Sequence, residues 1–149
     1  QKDALAQMTD KNGLTALNCA TLFGHVASVE ALLAGVENQD ALVQVRDLHG
    51  TNALMYAATA SRADLVQKIL AAVDDKDTLA LMFDGGGTTA LMRSVSAGSI
   101  ESAIAILNNV SKKHELAQQR DTLGLTAAMK AITQGRPAIA KAIGDALKG

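Results

Sequence analysis

Asp10, Asp47, Asp84 and Asp121 stand 37 residues apart, and each opens the same phrase, Asp-x-x-Gly-x-[Thr/Asn]-Ala. Self-similarity at one period of roughly 20 to 50 residues marks a supersecondary unit stacked on copies of itself, because a single unit cannot bury its own apolar face. The phase divides the chain into units at 10–46, 47–83 and 84–120 and a shortened one at 121–149. Residues 1–9 read as the tail of a preceding unit, since Lys2-Asp-Ala-Leu5 lies one period before Gln39-Asp-Ala-Leu42. With Gln in first place, the sequence is expected to be a piece of a longer protein, and residues 1–149 to fold as one domain.

Within each unit, Asp followed by Gly three residues on predicts a tight turn. The carboxylate accepts from nearby amides, and Gly13, Gly50, Gly87 and Gly124 supply positive φ. Thr15, Asn52, Thr89 and Thr126 then precede an apolar segment, where a side-chain oxygen caps the first turn of a helix. That helix carries Leu17, Leu54 and Leu91 with Ala20, Ala57 and Ala131. At about eight residues it is too short to persist without packing. Gly24, Gly98 and Gly135 end it, with Ser61 in the same place in the second unit. A second helix follows, with Val29 and Leu33, Val66 and Leu70, or Ile106 and Leu107 on its apolar face, and Pro137 suits the first turn of its fourth copy. The fourth unit places Ala128 and Gly144 where the third has Leu91 and Leu107, and adds Lys141, Asp145 and Lys148, as expected of a unit that ends an array.

A hydrophobic share of 48% suffices for a core, but the aromatics are only Phe23, Tyr56 and Phe83, so small aliphatics must fill it. The formal charge of -1 argues against nucleic acid as partner, because such proteins carry a basic stripe that displaces counterions. Lys and Arg number 6 against 10 Asp and Glu over residues 1–83 and 8 against 5 over 84–149, a polarity of -4 to +3 along the array. The single cysteine, Cys19, cannot form an internal disulfide, which favours an intracellular, cytoplasmic setting. No apolar run approaches the roughly 18 to 20 residues that span a bilayer, so no membrane partner is expected.

Catalytic chemistry, cofactor and metal are not expected. Gly85-Gly-Gly87 precedes a helix but lacks a following Gly-Lys-[Ser/Thr], and it coincides with the repeat turn. His25, His49 and His114 occupy different places in their units and share no ligand spacing. Asp74, Asp75 and Asp77 lack the glycine and distal Glu of a calcium loop. Cys19 has no histidine fixed beside it by sequence and reads as a small buried hydrophobe.

Asp10-Lys-Asn-Gly-Leu-Thr-Ala-Leu17, followed by Ala20, Gly24-His25 and Ala31-Leu-Leu33, resembles the ankyrin repeat, whose pattern runs Asp-x-x-Gly-x-Thr-Pro-Leu-His, Ala, Gly-His, Leu-Leu. The likeness recurs in phase from residue 10 to about 147. It implies an all-α solenoid of stacked antiparallel helix pairs joined by hairpin-like turns. Ala16, Ala53, Ala90 and Ala127 replace the family's proline, and Asn18, Met55, Met92 and Met129 its histidine. The period of 37 exceeds the usual ankyrin spacing of about 33. The extra residues fall in Val36 to Arg46 and its copies, where the recurring Leu42, Leu79 and Leu116 predict an added helical turn with Leu beneath it.

The resemblance further implies a monomeric, non-catalytic module that holds a protein partner on its concave helix and turn face. The alternative is a docking or regulatory segment of a larger enzyme or effector whose catalytic domain lies elsewhere. Candidate contacts are the columns that vary between repeats. On the first helix these are Cys19, Tyr56 and then Arg93 and Lys130, together with Leu22, Phe23 and Thr59. At the turns they are Lys11, Asn12 and Leu14 in the first unit and Leu48 and His49 in the second. Tyr56 and Arg93 lead, because Tyr and Arg combine contact area with directed polar groups.

Overall fold

The computed structural model describes residues 2–148. Its helices, in chain order, are α1 (Lys2–Ala6), α2 (Ala16–Leu22), α3 (Val26–Ala34), α4 (Gln39–Val43), α5 (Ala53–Thr59), α6 (Ala63–Ala71), α7 (Lys76–Leu81), α8 (Ala90–Ala97), α9 (Ile100–Asn108), α10 (Lys113–Gln118), α11 (Ala127–Thr133) and α12 (Pro137–Lys148). Among the described residues there is no strand, only an isolated bridge between Phe83 and Thr89. The fold is an all-α repeat solenoid.

Periodicity in sequence becomes periodicity in space. Helices α2, α5, α8 and α11 begin 37 residues apart, each behind a capping side chain. Thr15 accepts from the Asn18 amide at 3.1 Å, Asn52 from Met55 at 3.0 Å, Thr89 from Met92 at 3.3 Å and Thr126 from Met129 at 3.3 Å. Each of these caps satisfies one of the orphan amides that every helix start leaves, an effect of about 1 kcal/mol per cap. The helices are short, so burial rather than propensity sustains them: α5 packs on α2, α6 and α8, and α8 in turn on α9 and α11. Leu17, Leu54, Leu91, Val29, Leu65, Ile69, Ile106 and Leu107 form the continuous core between layers, each inaccessible to solvent.

The residues beyond the usual ankyrin period fold into a third, short helix per repeat, α4, α7 and α10, with Leu42, Leu79 and Leu116 buried beneath them. Asn38 and Asp75 cap two of these helices. An acidic side chain from one period earlier also clamps the start of the loop. Asp3 accepts from the amides of Glu37 and Asn38, both at 2.9 Å, and Asp77 from those of Ser111 and Lys112 at 2.8 and 3.1 Å. The third helix is therefore also a fastening between repeats.

At the far end, α12 turns Lys141, Asp145 and Lys148 outward, with Lys141 and Asp145 paired at 3.0 Å. Helix α11 beside it leaves Met129 and Ile132 exposed, so the polar dressing of the last layer is confined to its second helix.

Candidate partner-binding face

The turn aspartates organise this face. Asp47 Oδ1 accepts from the His49 and Thr51 amides at 2.8 and 3.0 Å, and Asp84 Oδ1 from those of Gly86 and Thr88 at 2.8 and 3.0 Å. Asp10 and Asp121 hold their own turns in the same way. Successive hairpins are joined by one backbone bond each: Leu48 N donates to Asn12 O at 3.1 Å, Gly85 N to His49 O at 3.0 Å and Thr122 N to Gly86 O at 3.0 Å. The triple glycine at 85–87 thus folds as the other turns do. Its amides serve the hairpin rather than a phosphate.

In the second, third and fourth units the other oxygen of the aspartate meets the first-helix column. Tyr56 donates its hydroxyl to Asp47 Oδ2, Arg93 Nη2 lies 2.7 Å from Asp84 Oδ2, and Lys130 Nζ lies 3.0 Å from Asp121 Oδ2. In each case the spacing is nine residues within one repeat. Arg93 also donates across the repeat boundary to Thr51 and Thr59, at 2.8 and 3.3 Å. The column leading from Tyr56 to Lys130 therefore braces the turns as well as lining the face, a role visible in the sequence only as a polar side chain nine residues after Asp47, Asp84 and Asp121. Cys19, the first member, has neither the length nor the polarity to do this.

Ionisation follows the geometry. Burial alone would push the Asp47 and Asp84 carboxyls up. For Asp47 the Tyr56 hydroxyl and the turn amides outweigh it, and for Asp84 the Arg93 guanidinium and the turn amides, so both lie below the ordinary value. The Leu125 amide, with help from Lys130, lowers Asp121 as well. Burial first, and then the Asp47 carboxylate, drive the Tyr56 phenol well above its ordinary value. Both shifts describe a fixed network, and Tyr56 stays neutral while Asp47 stays charged.

The remaining candidates fall into two groups. Lys11, Asn12, Phe23, Leu48, His49 and Thr59 are exposed, whereas Leu14, Leu22, Tyr56, Arg93 and Lys130 are half-buried. Cys19 is half-buried too, and not buried as its setting among small apolar residues suggests, because it shares the outward-looking column of Tyr56 and Arg93. Phe23 is 69% exposed and stands beside His25, ring centroids 6.3 Å apart. Leu48 and His49 line an open groove of about 610 Å³ with Arg46, Gly85 and Phe83. Thr59, Arg93 and Lys130 border a second one, about 390 Å³, with Asp84, Thr88 and Ser96. Phe83 and Ile132, 54% and 61% exposed, stand outside the sequence-based candidates. Phe83 immediately precedes a turn aspartate, outside the columns that vary on the first helix and at the turn tips.

Among the described residues no group of three or more His, Cys, Asp or Glu side chains is placed to hold a metal ion, and no helix is long and apolar enough to cross a membrane. The family model described as ankyrin repeats (3 copies) matches residues 2–80, just over half of the chain. No curated protein matches it.

Proposed function

The chain belongs to the ankyrin-repeat family, whose members are generally protein–protein interaction modules and typically non-catalytic, and on that premise we propose that it holds a protein partner on its first-helix and hairpin face. The observation that carries this reading is the division of labour at the turns. Each of Asp47, Asp84 and Asp121 is held by two turn amides and by Tyr56, Arg93 or Lys130. The hairpins are thereby rigid before any partner arrives, and preordered side chains lose little entropy on binding. Exposed Leu48, His49 and Thr59 then project from a fixed frame, with Phe23 at one end. An intracellular setting accords with the lone thiol of Cys19.

Substituting Tyr56 or Arg93 would loosen a turn and change binding at once, so those residues cannot test the face by themselves. Thr59→Arg combined with Ser96→Arg adds bulk and charge to the face; it gives up the 3.3 Å bond that Thr59 accepts from Arg93 but keeps both partners of the Arg93–Asp84 pair. That double variant is expected to fold, by far-UV circular dichroism and urea midpoint, and to lose co-purification of the partner from the native host. Gln67→Arg with Glu101→Arg, on the exposed side of α6 and α9, is the matched control and keeps it. Equal retention of the partner by both folded variants would refute the assignment.

A further inference from the structure

The residue just before the second, third and fourth turn aspartates forms a ladder of its own: Arg46, Phe83 and Arg120 occur 37 residues apart, and all are exposed. Around it the acidic groups are already engaged, since Asp47, Asp84 and Asp121 are held by turn amides and by Tyr56, Arg93 and Lys130. Arg46 makes no ion pair or side-chain hydrogen bond among the described residues. Arg120 lends Nη1 to the Gly124 carbonyl at 2.8 Å and to Met129 Sδ at 3.8 Å, and keeps its other guanidinium nitrogens unpaired among them. The result is an apolar ring between two uncompensated cations on a chain whose formal charge is -1. The groove between the second and third hairpins takes in the first two of the three, being lined by Arg46, Leu48 and Phe83.

Packed helical layers lie about 8 to 10 Å apart. An extended β-strand does not match that spacing with side chains on one face, because three residues on, the side chain points the other way. A polyproline II segment does: it turns once every three residues and rises about 3.1 Å per residue, so positions i, i+3 and i+6 share a face about 9.3 Å apart. We propose that the Arg46–Phe83–Arg120 ladder binds a protein segment in the polyproline II conformation that carries acidic, apolar and acidic side chains at successive third positions. The carboxylates pair with the two guanidinium groups and the apolar side chain covers Phe83, while Leu48 closes the groove. This deepens the reading of the chain as a protein-binding module and rests on it.

The probe is a fluorescein-labelled heptapeptide, Glu-Pro-Pro-Leu-Pro-Pro-Glu, titrated with the protein and followed by anisotropy at low salt. The expected result is saturable binding that weakens about tenfold for the Arg46→Glu, Arg120→Glu double variant and severalfold for Phe83→Ser. It should weaken again as added salt shortens the Debye length to about 8 Å. A peptide with Lys in place of both Glu residues is expected not to bind, and one with Gly in place of the four prolines to bind more weakly. Absence of binding overturns the proposal, as does equal binding of the Glu and Lys peptides or indifference to charge reversal in protein that circular dichroism shows to be folded. If the peptide fails while the Thr59→Arg, Ser96→Arg variant still loses its natural partner, the ladder alone is refuted and the binding face stands.

Discussion

The Arg62 guanidinium reaches back across a repeat boundary to donate to the Gly24 carbonyl at 3.0 Å, and a Cβ on Gly24 would stand 2.9 Å from the same nitrogen. Arg136 holds the same station over Gly98, where a Cβ would stand 2.5 Å from Nη1. At the intervening boundary both members change together: the left-handed residue is Ser61, at φ 59, and the position of Arg62 and Arg136 is taken by Ser99. A side chain at 61 goes with a short one at 99. Ser61 still bears the left-handed penalty, so Ser61→Gly is expected to stabilise the protein by about 1 kcal/mol, read as a higher urea midpoint at unchanged slope. Gly24→Ser should lower the midpoint, because it combines the same penalty with displacement of Arg62.

Gly87 and Gly124 share a left-handed conformation, φ 75 and 82, but not a neighbourhood. A Cβ at Gly87 would fall 3.0 Å from Asp121 Cα and from Thr122 N, whereas one at Gly124 meets nothing within 4 Å. Gly124→Ala therefore carries strain alone, about 1 kcal/mol. Gly87→Ala adds a clash with backbone that is tied by the hairpin bond, and is expected to cost at least about twice as much. Equal midpoints for the two variants in urea would show that adjacent hairpins do not depend on close approach.

Both polar atoms of the Asn18 side chain are buried without a protein partner, at the place where Met55 and Met92 are fully buried. Desolvating an unmatched amide costs about 1 to 3 kcal/mol, so Asn18→Met is expected to raise stability by an amount of that order. The flexible thioether suits a site shaped by the repeat's other methionines. Thermal and urea unfolding of this variant and of Asn18→Leu check it, and a fall in midpoint for both would mean that the amide is satisfied in the folded protein.

Stability should respond to pH at both extremes. Asp47 and Asp84 have folded values below the ordinary 3.8 of an aspartate, so the unfolded chain binds protons first as pH falls. Their contribution is complete above about pH 5 and is lost as pH drops through the folded values. Tyr56 is opposite in sign: its folded value is raised above 10.0, so its contribution is complete below that pH and disappears as pH rises further. Tyr56→Phe is expected to flatten the alkaline limb of the stability curve, and Asp84→Asn the acid one. Urea midpoints from pH 2.5 to 11 measure both limbs, and an alkaline limb unchanged in Tyr56→Phe would contradict the Tyr56–Asp47 bond.

The repeat, the turn aspartates, the helix caps and the buried Leu42, Leu79 and Leu116 were legible in the sequence because each arises from local chemistry repeated in phase. The second duty of Tyr56, Arg93 and Lys130 was not, since variation down a column suggests contact with a partner and hides that different side chains can reach the same carboxylate. The pairing of Arg62 with Gly24 was equally hidden, because the two residues lie 38 apart and belong to different repeats. Cys19 looked buried by composition. Its column decides its exposure, not its neighbours in the chain.

The most direct test of the account is site-specific photocrosslinking in the full-length protein inside its native host, with benzoylphenylalanine placed singly at His49, Thr59 and Ser96 on the proposed face and at Gln67 and Glu101 on the opposite helices. The account predicts one protein adduct of common mass from the first three positions and none from the other two. Adducts that form from Gln67 and Glu101 while His49, Thr59 and Ser96 stay silent would contradict it.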